Sequence, residues 1–362
     1  MEINELSIQE KIGQMIMIGM DTNYITDRIR TMITKYKIGG IILYRKNFNT
    51  YEKMLELIHQ LKELNRVNKI PLFIAIDQEG GRVNRMPQEI INLPAANKIA
   101  LQGDKDLIKK SAHLTGELLK KSGFNLNFAP VLDIKNFSNE HAIGDRCFGN
   151  DKETVAKYGI TTMKSLQEQG IISVIKHFPG HGSTSKDSHY LLPIINKKFK
   201  DLENEDMYPF EQALNNGADC LLVGHLLIKN ITGFSPASLS RKFISRYIRK
   251  KYKYNGLIFT DDLKMKAIKF LYGPVNAVIK AFKAGNDIII FRFNKDEEKN
   301  SIEKVLKLVK SGKIKESRIN RSVKRIINLK EKYNVSDDMP EESIDIDSFN
   351  NEILKIREKC GL

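Results

Sequence analysis

The 362-residue chain has no tryptophan, and its three cysteines (Cys147, Cys220 and Cys360) lie far apart with no CxxC pair. An odd, scattered set argues against both a disulfide framework and a structural zinc site. No apolar run approaches the ~20 residues that a bilayer-crossing helix needs. The N-terminus, MEINELSIQEKIGQMIMIGM, has early acidic residues and only a short apolar patch. It lacks the basic start, long apolar centre and small-residue cleavage site of an export signal, so the expected compartment is the cytoplasm. Also missing is an arginine-rich block interleaved with aromatics. The net charge of +15, from 59 basic against 44 acidic residues, is mostly lysine spread over helix-like segments. It reads as a lysine-coated surface, with no nucleic-acid and no membrane partner expected.

What is present is an alternation. Short runs rich in Ile, Val, Leu and Phe occur at 13–20, 38–44, 71–77, 125–134, 171–177, 218–227, 256–262 and 286–293. Between most of them lie stretches with helical spacing, such as 51–64, where Met54, Leu55, Ile58, Leu61 and Leu64 recur at three- and four-residue steps. The segment 201–217 has an acidic first turn and a glycine stop, and 99–123 and 299–333 also read as helices. Near-continuous apolar strands imply a parallel sheet covered on both faces. Eight repeats in this length favour an α/β chain folded as a (β/α)8 TIM-type barrel over an open doubly wound sheet. The expected division is a catalytic barrel over 1–335 and an acidic tail over 336–362 that packs on it. That tail carries eight acidic and three basic residues and is too short to be a second domain.

Barrel chemistry collects at the C-terminal ends of the strands. Tyr44 to Asn47 follow the second run, Asp77, Glu79, Arg82 and Arg85 the third, and Asp133 the fourth. Lys176 and His177 end the fifth, His225 the sixth, Asp261 and Asp262 the seventh, and Arg292 and Asn294 the eighth. One aspartate after a strand is ordinarily a helix cap, but a set of seven is harder to dismiss. The fifth run opens the densest stretch, IISVIKHFPGHGSTSKDSHY, with three of the seven histidines in thirteen positions. His177 and His181 have the four-residue spacing of helical zinc ligands, yet Pro179 and Gly180 between them rule out the helix, and no metal is expected. The order GxxxxGK[ST] is also absent, so phosphate binding is weakly supported.

Acid–base chemistry fits better. Asp187 and His189, two apart in a loop, place both side chains on one side if the backbone is extended. A carboxylate beside the imidazole raises its pKa toward that of a general acid, and a loop-stabilising ion pair is an equally good reading of this pair alone. Asp261 offers a carboxylate nucleophile on a rigid strand end, unless it or Asp262 caps the next helix. Arg85, Arg146 and Lys176, with Asp77, supply charged hydrogen bonds to a polyhydroxylated ligand.

KHFPGHGSTSKDSH (176–189) resembles the KHFPGHG…DSH signature of family 3 glycoside hydrolases, specifically the β-N-acetylglucosaminidases of peptidoglycan recycling. IDQEGGRVNR (76–85), GDRCFG (144–149), VGHLL (223–227), PASLS (236–240) and FTDDLKMKAI (259–268) match the same family in the same order. The resemblance implies an exo-acting, retaining enzyme that removes terminal N-acetylglucosamine from muropeptides through a covalent glycosyl-enzyme. Asp261 would be the nucleophile, and His189 coupled to Asp187 the acid/base. Asp77, Arg85, Arg146, Lys176 and His177 match the sugar-holding positions. No cofactor is implied, and a monomer is expected. Several relatives continue into a second α/β domain where this sequence stops at Leu362, which predicts a single-domain enzyme. Two rivals stay open: a phosphorylase of the same family, because a histidine acid/base repels phosphate less than a carboxylate does, and a non-catalytic glycan- or nucleic-acid-binding protein.

Overall fold

The computed structural model describes residues 3–135, 143–182, 184 and 192–362. Its strands, in chain order, are β1 (Ile16–Gly19), β2 (Gly40–Leu43), β3 (Phe73–Ile76), β4 (Leu126–Asn127) and β5 (Ile172–Phe178). Then come β6 (Ile194–Ile195), β7 (Cys220–Val223), β8 (Leu227–Ile228), β9 (Leu257–Thr260) and β10 (Ile289–Phe291). Eight of them form one parallel sheet in the order β10-β1-β2-β3-β4-β5-β7-β9, and β6 and β8 pair separately. A parallel bridge between Phe259 and Ile288 joins the two ends of the large sheet and closes the barrel. The expected (β/α)8 architecture is therefore present, with helices covering the outside.

All four residues of β1, β2, β3, β7 and β9 are buried. That explains why they read as unbroken apolar runs rather than alternating ones. The fourth run gives the shortest barrel strand, because Pro130 cannot donate to a ladder. Asparagines take over the pairing there. Asn125 Oδ1 accepts from the Ile74 amide (3.0 Å) and Asn127 Oδ1 from the Gln78 amide (2.9 Å), while their Nδ2 groups donate to Leu72 O and Gln78 O.

The helix Tyr51–Asn65 forms where the periodicity places it. The two long helical readings are each split. Lys105–Lys121 starts afresh after Gly103 (φ +69°), with Asp104 accepting from the amides of Asp106 and Leu107. Lys295–Lys310 and Glu316–Lys332 are separated by Gly312 (φ +72°). The segment 201–217 is likewise divided into Phe199–Asn204 and Tyr208–Asn215, the second entered through Pro209 in its first turn.

Opposite the strand C-termini the barrel is plugged by Lys330. Its buried ammonium donates to Gln14 Oε1 (3.0 Å), Gly39 O (3.1 Å) and Pro71 O (2.6 Å), and burial pushes its pKa down to about 7. Beyond Ser336 the chain runs along the barrel wall. Asp337 accepts from the Leu72 amide (3.0 Å) and Asn65 Nδ2 (2.7 Å). The helix Ile346–Lys359 then buries Phe349, Ile353 and Ile356. From it, Asn350 Oδ1 accepts from the Ile91 amide (2.8 Å) and Arg357 donates to Asn92 O (3.1 Å). These contacts brace the long loop after β3, which carries several of the polar residues at the mouth.

Candidate active site

At the C-terminal mouth of the barrel lies a cavity of about 590 Å³ whose lining includes Asp77, Arg85, Arg146, Lys176, His177 and Asp261. Six of the eight residues singled out in the sequence thus share one space. Asp187 and His189 lie outside the described residues.

Behind one wall stands a carboxylate to which the sequence gave no role. Glu79 accepts two bonds from Arg146, Nε to Oε2 and Nη2 to Oε1, both 2.8 Å. Lys176 Nζ lies 2.6 Å from Glu79 Oε1 and 2.8 Å from Asp77 Oδ1. The Glu79 and Lys176 side chains are only 5% and 3% exposed, so water cannot substitute for this pairing. Burial opposes charge on Glu79, but the Arg146 and Lys176 charges and their hydrogen bonds outweigh it and hold the carboxyl well below its usual range. Two glycines make the geometry possible. Gly80 and Gly81 have φ of +86° and +54°, and a Cβ on Gly81 would sit 2.6 Å from Ala95 Cβ. Nothing in the local sequence marks Glu79 as the hub; only its place two residues after Asp77 hinted at it.

His177 is fixed by a second buried carboxylate. Asp133, fully buried past β4, meets His177 Nδ1 at 2.7 Å and accepts from the amides of His177 (3.2 Å) and His181 (2.6 Å). Burial raises the Asp133 pKa, but the His177 ring and these hydrogen bonds bring it below the ordinary value. A carboxylate facing Nδ1 holds the proton there, which leaves Nε2 as the ring nitrogen for a ligand. His181 also borders the cavity, with Nδ1 2.6 Å from Thr184 Oγ1; burial lowers its pKa and favours the neutral ring.

Across the cavity, Asp261 follows β9. Its amide donates to Val223 O (3.1 Å), and its Oδ1 accepts from the Asp262 amide (2.8 Å). One carboxylate oxygen is thereby held by the backbone, which orients the group. Asp262 accepts from the Lys264 amide (2.8 Å) in the turn ahead of the helix Lys266–Tyr272, whose N-cap position is Met265, so neither Asp261 nor Asp262 caps that helix. Burial, with the Asp261 charge adding to it, pushes the Asp262 pKa up to about 6 against the Lys264 amide and the Arg292 charge. Arg292 stacks on Tyr44, 4.9 Å from the ring centroid, and pairs with Asp21 at 3.2 Å. Other strand-end residues have local duties. Asn294 caps the helix Lys295–Lys310, and Asn47 closes the turn after β2 through the Tyr44 amide (2.7 Å).

The cavity therefore offers one oriented carboxylate opposite a cationic, hydrogen-bonding wall. Such a pair suits attack on an electrophilic carbon of a hydroxyl-rich ligand. Among the described residues no group of three or more His, Cys, Asp or Glu side chains could hold a metal ion, and no helix is long and apolar enough to cross a membrane.

The glycosyl hydrolase family 3 N-terminal domain matches residues 7–329. A solved family 3 β-N-acetylglucosaminidase from Paenibacillus sp. superposes with a TM-score of 0.92 at 33% identity, covering 98% of this chain and 69% of that one. A β-hexosaminidase LpqI from Mycobacterium tuberculosis is 30% identical over 333 residues, 90% of this chain and 83% of that protein. β-Hexosaminidase A of Pseudoalteromonas piscicida is 31% identical over 326 residues, covering 83% of this chain but only 54% of its own length. This chain spans about half of that last protein.

Proposed function

The chain belongs to glycosyl hydrolase family 3, and from that premise we propose that it is a retaining, exo-acting β-N-acetylglucosaminidase. Its substrates are terminal non-reducing N-acetylglucosaminides of muropeptides and peptidoglycan fragments, handled by a monomer in the cytoplasm. Asp261 attacks the anomeric carbon and forms a glycosyl-enzyme. His189, coupled to Asp187, protonates the leaving oxygen and then takes a proton from the water that releases the sugar. Asp77, Arg85, Arg146, Lys176 and His177 hold the sugar hydroxyls.

The observation that carries the reading is the Asp261 carboxylate, one oxygen held by the Asp262 amide, facing the wall built on Glu79 and Asp133. The naming of the relatives supports the sugar: β-hexosaminidase for two of them and β-N-acetylglucosaminidase for the third. The test is turnover of an aryl β-N-acetylglucosaminide in phosphate-free and phosphate buffers. Free N-acetylglucosamine in both supports hydrolysis, whereas a sugar 1-phosphate in the second marks a phosphorylase. No turnover of any aryl N-acetylglucosaminide refutes the proposal.

A further inference from the structure

Two sequence motifs, VGHLL and PASLS, contribute no residue to the cavity lining, yet they meet under it. His225, just past β7, is 1% exposed, and Ser238, in the turn Ala237–Leu239, is fully buried. His225 Nδ1 lies 2.6 Å from Ser238 Oγ, and its Nε2 lies 3.2 Å from the carbonyl oxygen of Asp262. The serine is anchored on both sides: the Ala237 amide donates to Leu226 O (2.8 Å), and Asn286 Nδ2 donates to Ser238 O (2.8 Å).

A carbonyl oxygen can only accept, so His225 Nε2 carries a proton. Burial lowers the ring's pKa, with the Asp261 charge and the Asp262 carbonyl acting the other way, and the neutral form has only one N–H. Nδ1 is therefore bare and accepts the Ser238 hydroxyl. The Asp262 carbonyl selects the tautomer, and the Ser238 hydroxyl, able to donate or accept, holds the ring in place through Nδ1. Asp262 is also the residue whose amide holds Asp261 Oδ1.

We propose that His225 and Ser238 form a buried clamp that positions the turn carrying Asp261, with Ser238 holding the imidazole through Nδ1 and Nε2 holding the Asp262 backbone. The clamp touches no substrate. Its role in catalysis rests on Asp261 acting as the nucleophile. Displacing a reacting atom by about 1 Å costs on the order of 10²-fold in rate, so the clamp acts on kcat and leaves sugar binding alone.

Two amide substitutions separate clamping from bulk packing. The amide nitrogen of His225→Gln reaches the place of Nε2, while that of His225→Asn reaches only the place of Nδ1. With an aryl β-N-acetylglucosaminide, the Gln variant should stay within about tenfold of wild-type kcat and the Asn variant should lose on the order of 10²-fold, both with little change in KM. Ser238→Ala, which removes only the hydroxyl, carries the test if the Asn variant does not fold; it should lower kcat by about tenfold, and Ser238→Thr should restore it. An active wild type whose Asn and Gln variants behave alike, a loss confined to KM, or an unaltered Ser238→Ala overturns the clamp alone. A wild type with no turnover overturns the function and the clamp's catalytic role together.

Discussion

Glu79→Gln tests the organisation of the sugar-holding wall. The substitution keeps the volume and one acceptor oxygen but removes the charge that faces Arg146 at 2.8 Å and Lys176 at 2.6 Å. Asp77, at 2.8 Å from Lys176, still pairs with that lysine, and its side chain is 25% exposed. Breaking a buried ion pair from one side typically costs about 3–5 kcal/mol, because the remaining charge is left uncompensated. Part of that cost can be relieved by Lys176 turning toward Asp77, so about 3 kcal/mol is the expected loss in a urea titration at pH 7. Glu79 is depressed in the folded state, so its contribution is complete above the unfolded-state value of about 4.3 and fades as pH falls through the lower folded value. The gap between wild type and Glu79→Gln should therefore be full at pH 7 and start to shrink below about pH 4. Activity should fall mainly through KM, since Arg146 and Lys176 lose their fixed positions. Stability within about 1 kcal/mol of wild type at pH 7 would refute the hub, because only surface pairs are worth so little.

Asp262 titrates in the opposite sense. Its folded pKa of about 6 lies above the unfolded value, so stability falls as pH rises through the window between about 4 and 6. Asp262→Asn should flatten that dependence and gain up to about 3 kcal/mol above pH 6, read by thermal or urea unfolding against pH; an unchanged profile contradicts the burial argument. In the C-terminal segment, Asp337→Ala removes the acceptor of the Leu72 amide and of Asn65 Nδ2. A cost of about 2–4 kcal/mol is expected from the stranded donors, and a value under about 0.5 kcal/mol, typical of an unimportant surface position, would mean that the tail does not brace the barrel.

Much of the fold could be read because burial on both faces leaves an unmistakable mark. Runs such as PLFIAID and GLIFTDD are uniformly apolar up to the point where the strand reaches the mouth, so one pattern gives both the strand and the position of its polar end. Asp77, Lys176 and Asp261 were found that way. Glu79 and Asp133 stand in the same strand-end set, but their work is to hold Arg146 and His177, residues 67 and 44 positions away in sequence. Partners so distant are joined only by barrel closure, and no local periodicity records them. The same limit explains His225 and Ser238, whose motifs were recognised while their contact was not. Local chemistry accounts for the other differences. Glycines at positive φ divided two helices that apolar spacing alone ran together, and asparagine side chains replaced backbone pairing where Pro130 shortened β4.

The most direct test of the central claim is to trap the glycosyl-enzyme. A fluorinated aryl β-N-acetylglucosaminide that forms its sugar ester quickly and loses it slowly is incubated with the chain, which is then digested and mapped by mass spectrometry. The account predicts one sugar adduct, on the peptide containing Asp261 and on that side chain, and none in Asp261→Ala. An adduct on another residue, or an active enzyme that forms no adduct and releases sugar of inverted configuration, would contradict it.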